Sequence, residues 1–166
     1  SSSATTSSSE SSSSASDIEY KGERETGKAT PPSEDIIKKI QDLKAENSDT
    51  VGWINVPGAD CDLGVLQTTD NTFYHRRGYD KQYEWLGAIF LDYEVEGGDQ
   101  TREEISRNFI VYGHNVDDDR ENGEMFAKLI NYDDPEYAAE YPYIWYYTEE
   151  DAMLFYVFAA FLSEDS

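Results

Sequence analysis

Six short apolar segments constrain the fold of this chain more than any other feature of its sequence. Each segment is rich in β-branched or aromatic residues and is bounded by Gly, Asn or Asp, which is typical of β-strands. They occupy residues 51–56, 63–67, 88–93, 108–112, 143–147 and 152–162. Because they do not alternate regularly with helices, the sequence predicts an antiparallel or mixed β-barrel and not a doubly wound sheet.

Helical patterns occur in only a few places between these strands. Ser33, followed by two acidic residues, is a favourable N-cap for a helix that ends near Asn47. Two shorter helical segments are predicted between the fourth and fifth strands, one near 125–130 and one that Asp134 and Pro135 open. The predicted fold is therefore mainly β, with an N-terminal helix and short helices between strands.

The N-terminal region has a different composition from the rest of the chain. Its first sixteen residues contain eleven serines and no large apolar side chain, so they cannot bury enough surface to offset the entropy of ordering. We predict a disordered linker at 1–33 and one folded domain at 34–166. The formal net charge is −22, which argues against partners such as nucleic acid or an anionic membrane surface.

Cys61 is the only cysteine, so no internal disulfide can form. Asp60 and Asp62 flank it, and two carboxylates would raise the pKa of a thiol. We therefore interpret Cys61 as a small packing residue. The 152–162 segment is the longest apolar run and is too short to cross a membrane, so it is predicted to be a buried strand. No signal peptide is visible, and we expect that a removed segment precedes this serine-rich start.

His114 is the strongest candidate for chemistry, because it directly follows an apolar strand and precedes a polar loop. Taken alone, this position is a weak signal, because an exposed loop histidine fits it as well as a catalytic one and is more common. His75 is predicted to be a surface residue. The acidic loop at 117–124 does not fit an EF-hand, since Asn122 stands at the glycine position and Lys128 at the bidentate glutamate position. No zinc-type spacing is present, so we predict no metal and no cofactor.

Four segments, read in order, resemble the sortase family, and class B sortases most of all. They are NSDTVGWI at 47–54; VLQ at 65–67 with DN at 70–71 and FY at 73–74; GAIFLDY at 87–93; and NFIVYGHN at 108–115, followed by MF at 125–126. The resemblance implies an eight-stranded β-barrel on the extracellular face of a Gram-positive membrane, with a membrane anchor upstream of this chain.

The resemblance also implies an activity. Sortases are cysteine transpeptidases that cleave the sorting signal of a surface protein and join it to an amine on peptidoglycan or a pilin. A cysteine thiolate attacks the scissile carbonyl, a histidine protonates the leaving amine, and an arginine helps to hold the substrate. His114 matches the catalytic histidine, and Asn71 and Tyr112 match positions that line the substrate groove.

The chain departs from the family pattern in three ways. The Thr-Leu-x-Thr-Cys strand and the later arginine would lie beyond Phe161, and neither occurs. Gly64 replaces a common proline. We therefore expect a sortase-like barrel whose last strands are absent, inactive by itself and prone to aggregation through unpaired strand edges. The alternatives are a non-catalytic sortase-like module that binds surface proteins and an unrelated acidic β-rich extracellular domain.

Overall fold

A computed structural model describes residues 27–115 and 125–161 of the chain. Within these ranges a single six-stranded sheet carries two α-helices and three short 3₁₀ helices. The helices are α1 (Glu34–Glu46) and α2 (Pro135–Glu140), and the 3₁₀ helices are Pro57–Ala59, Phe73–Arg76 and Ala127–Asp133. The strands are β1 (Thr50–Val56), β2 (Cys61–Leu66), β3 (Phe90–Leu91), β4 (Val111–Tyr112), β5 (Tyr143–Tyr147) and β6 (Ala152–Tyr156).

The sheet is mixed, with the strand order β4-β3-β2-β1-β5-β6. Strands β1 and β2 form an antiparallel hairpin, and β1 also pairs with β5. Only β2 and β3 run parallel, so residues 67–89 form a crossover between them. The predicted mainly β fold is confirmed, in the form of a curled half-barrel.

The predicted N-terminal helix is also confirmed, and it begins directly after Ser33. Its apolar stripe faces the sheet, where Ile40 is buried. Leu43 lies so close to Gly64 of β2 that a β-carbon at this position would collide with its side chain. Glycine at position 64 thus allows the helix to approach the strand closely, and β2 keeps a regular register with Trp53 of β1.

Three of the predicted strands are shorter in the structure than the sequence pattern indicates. The predicted strand 88–93 retains only β3, because its neighbours bond to different partners: Ala88 N–H donates to the carbonyl of Tyr74, and Asp92 N–H donates to that of Ile110. The 108–112 strand is likewise reduced to β4. The prediction of a buried strand over 152–162 was wrong, since β6 ends at Tyr156 and its last three side chains are exposed.

The two short helices lie where the sequence predicted them. The apolar face near 125–130 leads into the 3₁₀ helix Ala127–Asp133, and α2 follows directly. Asp134 caps α2, because its carboxylate accepts a hydrogen bond from the N–H of Glu136 at 2.9 Å.

The ordered contacts begin slightly before the predicted domain boundary. Thr30 N–H donates to the carboxylate of Asp151 at 3.0 Å, and Ala152 N–H donates to the carbonyl of Thr30. Arg102 forms two further side-chain bonds to the same carboxylate, which is fully buried. The turn between β5 and β6 is thus bound to two distant segments. None of the helices in the described part of the chain is long and apolar enough to cross a membrane.

Candidate active site around His114

The crossover and the end of β4 lie side by side at one edge of the sheet. The crossover contributes the segment from Asn71 to His75, and β4 continues from Tyr112 to His114. Beneath them is a small apolar cluster that includes Leu66, Tyr74, Ala88 and Phe90, against which Tyr112 packs. The Phe90 and Tyr112 rings are 5.1 Å apart. This cluster holds the two segments at a fixed separation.

The His114 side chain is anchored through one of its two ring nitrogens. Its Nε2 lies 2.9 Å from the main-chain oxygen of His75. Because a carbonyl oxygen only accepts hydrogen bonds, Nε2 must carry the proton and donate. Nδ1 is therefore the nitrogen that remains for chemistry, as an acceptor in neutral imidazole and as a donor in imidazolium.

The imidazole of His75 adds a second contact to His114. The two rings are stacked, with centroids 5.0 Å apart and planes inclined by 20°. His75 is exposed, as predicted, while His114 is half-buried. His75 thus supports His114 with both its ring and its carbonyl oxygen. The sequence did not indicate this role, because the carbonyl oxygen that binds His114 belongs to the main chain and is present in any residue.

The position of the His75 carbonyl depends on buried polar contacts of Tyr74. The Tyr74 hydroxyl donates to the carboxylate of Asp49 at 2.7 Å and accepts from the amide of Asn47 at 2.8 Å. Burial and the Asp49 hydrogen bond raise the pKa of Tyr74, so its hydroxyl stays protonated. The end of α1 is therefore linked to the backbone that supports His114.

Two glycines allow the backbone around His114 to pack closely. Gly87 has a φ of +61°, and a β-carbon there would collide with the Tyr74 carbonyl oxygen and lie 2.8 Å from that of His75. Gly113 precedes His114, and a β-carbon there would contact Ile89 and Phe126 too closely. Both positions therefore require glycine, one for its backbone conformation and both for the space around them.

Asn71 and Tyr112 meet on the carboxylate of Asp92, which directly follows β3. Asn71 Nδ2 donates to Asp92 Oδ2 at 2.8 Å, and the Tyr112 hydroxyl donates to the same oxygen at 2.9 Å. The other oxygen, Oδ1, accepts from the N–H of Glu94 at 2.9 Å. We call Asn71, Asp92 and Tyr112 the Asp92 cluster.

The electrostatics of the Asp92 cluster follow from these bonds. The N–H of Glu94, together with the Tyr112 and Asn71 bonds, lowers the pKa of Asp92 despite its limited exposure of 9%. The Asp92 carboxylate in turn raises the pKa of Tyr112. The cluster therefore holds a carboxylate that only accepts hydrogen bonds and a phenol that keeps its proton.

Two cavities border the candidate site. One, of about 730 Å³, is lined by Thr68 to Asp70, Phe73 and Tyr93 and thus lies next to Asn71. The other, of about 500 Å³, includes Gly113 and Asn115, the residues on either side of His114. Each cavity is thus lined by a sequence neighbour of one of the predicted site residues, Asn71 or His114.

Cys61 lies far from this site. It begins β2, whereas Leu66 at the other end of β2 is in register with Phe90 and, through it, with Tyr112. A strand rises about 3.3 Å per residue, so roughly 16 Å separates Cys61 from Leu66. Cys61 is 2% exposed, and burial, assisted by the Asp62 charge, raises the pKa of its thiol to about 12. It packs in the core, as predicted, and is more fully buried than the sequence indicated.

The three residues predicted for the site thus belong to one connected arrangement. Asn71 and Tyr112 share the Asp92 carboxylate, and His114 contacts the segment that carries Asn71. Asp92 was overlooked as a functional residue, although an acid directly after an apolar strand is a usable signal. No group of metal-ligating side chains occurs in 27–115 and 125–161. The acidic loop considered for calcium falls within 116–124, outside the described residues.

The curated proteins to which this chain is similar in sequence are class B sortases. The chain is 33% identical to sortase B of Listeria monocytogenes over 108 residues, which cover 65% of this chain and 40% of the relative. It is 30% identical to sortase B of Staphylococcus aureus over 99 residues, or 60% of this chain and 37% of the relative. The chain is a class B-like sortase homologue. No protein-family model matches it.

Solved structures of sortase B have the same fold. The Clostridium perfringens enzyme is 31% identical, with a TM-score of 0.61 over 72% of this chain and 60% of that one. A sortase B complexed with triglycine is 25% identical and has a TM-score of 0.64. The match covers 75% of this chain and 54% of that one. The Staphylococcus aureus sortase B–substrate complex is 25% identical and has a TM-score of 0.58. The match covers 69% of this chain and 50% of that one. This sortase homologue spans about two-fifths of the length of its curated relatives.

Proposed function

We propose that this chain forms the histidine-bearing part of a sortase-type cysteine transpeptidase. Such an enzyme cleaves a sorting signal near the C-terminus of surface proteins and attaches them to amines of the cell wall or of pilins. The observation that carries the proposal is the line of contact between the crossover and β4, where Asn71, Tyr112 and His114 are held by hydrogen bonds. Homology to sortase B supports the reaction class.

In the proposed reaction, His114 transfers protons through Nδ1. A cysteine thiolate attacks the scissile carbonyl, and the Nδ1–H of the His114 imidazolium protonates the leaving amine, which gives a thioester. An acceptor amine then attacks the thioester and returns a proton to Nδ1. Throughout, Nε2 stays bonded to the His75 carbonyl, so the ring keeps its orientation.

Cys61 cannot supply the thiolate. Its thiol is buried, and its pKa of about 12 leaves it protonated at neutral pH. We therefore expect the polypeptide of residues 1–166 to be inactive by itself, and an active protein to supply its nucleophile and arginine from additional sequence. Reading the gene past the codon for Ser166 tests this directly, because a Thr-Leu-x-Thr-Cys-like strand and a later arginine should follow.

We propose the partners and location of the protein from the same relationship. The partners are a sorting-signal peptide and a peptidoglycan or pilin amine, and the solved sortase B complexes with a substrate and with triglycine support this choice. The location is the extracellular face of a Gram-positive membrane, with an anchor upstream of this chain. The strongly negative charge of the chain is consistent with a role away from nucleic acid.

The decisive experiment uses the complete gene product and a sorting peptide that carries a fluorophore and a quencher, with triglycine as the acceptor. His114→Ala should abolish transfer and still give a cooperatively folded protein, while the neighbouring His75→Ala should retain most of the transfer activity. Unchanged turnover in His114→Ala would refute the role of this histidine. A complete gene product that binds the peptide but never cleaves it would instead support the non-catalytic binding module.

A further inference from the structure

The hydrogen bonds of the Asp92 cluster determine which atoms of Asn71 and Tyr112 remain free. The Asn71 amide has an assigned orientation, because its Oδ1 accepts from the N–H of Tyr93 at 3.0 Å and its Nδ2 donates to Asp92. A main-chain N–H only donates and a carboxylate only accepts, so the reverse orientation would break both bonds. One N–H of Asn71 is left over.

The Tyr112 hydroxyl is restricted in the same way. Its one hydrogen is donated to Asp92 at 2.9 Å. The phenolic oxygen therefore faces any ligand as an acceptor. Without Asp92, the hydroxyl could rotate and act as either donor or acceptor.

We propose that Asp92 is a positioning residue that presents Asn71 as a donor and Tyr112 as an acceptor to the main chain of a bound peptide. A peptide unit offers one C=O and one N–H, which match the free N–H of Asn71 and the free oxygen of Tyr112. The inference rests on the proposed function, since it takes the ligand to be an extended peptide. In this role Asp92 does not touch the peptide and affects its binding only through Asn71 and Tyr112.

The surroundings of Asp92 favour this role over simple support of the fold. Its main chain is already held, because its N–H donates to Ile110 and its carbonyl accepts from Gln67 at 2.8 Å. The strand end is therefore bonded through its main chain, and the carboxylate oxygen that binds Asn71 and Tyr112 is not the one that accepts from the N–H of Glu94. Both side chains that Asp92 binds are only half-buried. Asn71 directly follows Asp70, which lines the 730 Å³ cavity, and Tyr112 lies two residues before His114.

The first test compares Asp92→Asn with Glu94→Gln in the complete gene product. The probe is a fluorescein-labelled synthetic peptide, selected on the wild-type gene product from a random library, and binding is followed by fluorescence anisotropy. Asp92→Asn should weaken binding about tenfold, since it replaces charged hydrogen bonds that order two ligand-facing groups. Glu94→Gln removes the same charge two residues away and keeps its main-chain N–H, so affinity should be unchanged. Equal losses in both variants would overturn the inference.

A second test asks whether Asp92 acts through Tyr112. In a Tyr112→Phe background the phenolic oxygen is gone, so Asp92→Asn should weaken binding much less than it does in the wild type. Losses that simply add would show that Asp92 does not act through Tyr112 and would contradict the inference. Melting temperatures of all variants identify any loss that is due to unfolding.

A third test keeps Asp92 intact and therefore does not depend on how its variants fold. Each main-chain N–H of the selected peptide is replaced in turn by an ester oxygen. One such ester should weaken binding to the wild type and have no effect on Tyr112→Phe, and a series without such a position overturns the inference. If the wild-type gene product selects no peptide at all, the proposed function fails as well. If it binds peptide and Asp92→Asn binds equally well, only the inference fails.

Discussion

The two outer strands of the described sheet present very different surfaces. At the β4 edge, polar side chains are tied to defined partners, as in the bonds from Asn71 and Tyr112 to Asp92. Beyond β5, the surface of β6 and the residues after it is apolar, and we call it the β6 surface. Its exposed members are Leu154, Phe155, Tyr156, Phe158 and Phe161.

The two edges should therefore affect different properties of the protein: the β4 edge its ligand recognition, and the β6 surface its solubility. Hydrogen bonds at the β4 edge fix the direction of donors and acceptors, which is a requirement for selective binding. Exposed apolar groups at the β6 surface have no directional preference and favour any contact that removes them from water. Changes at the first edge should therefore alter specificity, and changes at the second should alter self-association.

The largest expected effect is at the turn that supports β6. Arg102→Met leaves the buried carboxylate of Asp151 without its cation, which should lower the free energy of unfolding by about 3–5 kcal/mol. Urea denaturation measures the loss. Lys38→Met, which removes an exposed ion pair on α1, should cost less than about 0.5 kcal/mol. Similar losses in the two variants would show that the Arg102 contact is no stronger than a surface ion pair.

The same turn should make stability depend on acid. Burial by itself would raise the pKa of Asp151, but the bonds from Arg102 and from the N–H of Thr30 outweigh it and lower that pKa. The folded state thus binds its proton less readily than the unfolded state does. This contribution is present above about pH 4 and is lost as the pH falls through the lowered pKa. Urea denaturation between pH 6 and pH 2 should show a steeper loss in the wild type than in an Asp151→Asn variant.

The next effect concerns the β4 edge. Gly87→Ala should lower stability by about 2 kcal/mol, because it places a β-carbon at positive φ against the Tyr74 and His75 carbonyls. Gly97→Ala is a matched control, since Gly97 also has a positive φ but contacts the backbone of Glu104. Both should destabilise the protein, but only Gly87→Ala should shift the ring nitrogen NMR signals of His114. A shift in both variants, or in neither, would contradict the proposed support of His114.

A smaller effect is expected from the stacked histidines. His75→Ala removes the ring contact and keeps the main-chain carbonyl, so it should cost at most about 1 kcal/mol. The Nε2–H signal of His114 should persist in NMR spectra, because its acceptor is unchanged. Loss of that signal would mean that the ring, and not the carbonyl, holds His114 in place.

The smallest change in stability is expected at the β6 surface. Phe158→Lys replaces a side chain that is 95% exposed, so the free energy of unfolding should change by less than about 0.5 kcal/mol. Self-association should nevertheless fall, as measured by light scattering against concentration. Tyr83→Lys, at an exposed aromatic in the crossover, should leave self-association unchanged. A wild-type chain that stays monomeric at high concentration would contradict the predicted aggregation.

Regular hydrophobic patterns allowed the most reliable predictions from the sequence. Strand β5 has the predicted bounds, since Pro142 and the polar turn after Tyr147 delimit its apolar run. Helix α1 begins after Ser33, as its cap and acidic first turn indicated. Segment 88–93 was predicted poorly because its backbone groups bond to three different neighbours in succession, and hydrophobicity does not encode a change of partner.

The candidate site was only partly predictable. His114 was a candidate from its place after an apolar strand, and the motif resemblance strengthened it. Asn71 and Tyr112 came from the resemblance alone, and the roles of all three stay predictions. The His75 carbonyl was invisible in the sequence, because any residue at that position offers the same main-chain atom. Asp92 was present in a recognised motif, but its contacts to Asn71 and Tyr112 depend on a crossover of more than twenty residues that no local pattern describes.

The parallel pairing of β2 and β3 has a consequence for how such a protein can vary. Since residues 67–89 must pass from one end of β2 to the start of β3, a single continuous stretch carries Asn71, the His75 carbonyl and the lining of the larger cavity. Exchanging this stretch between related chains would replace one side of the proposed peptide site in one step, and the strand pairings would stay the same. The crossover is thus the segment in which sequence changes could alter ligand preference at the proposed site with the least effect on the sheet.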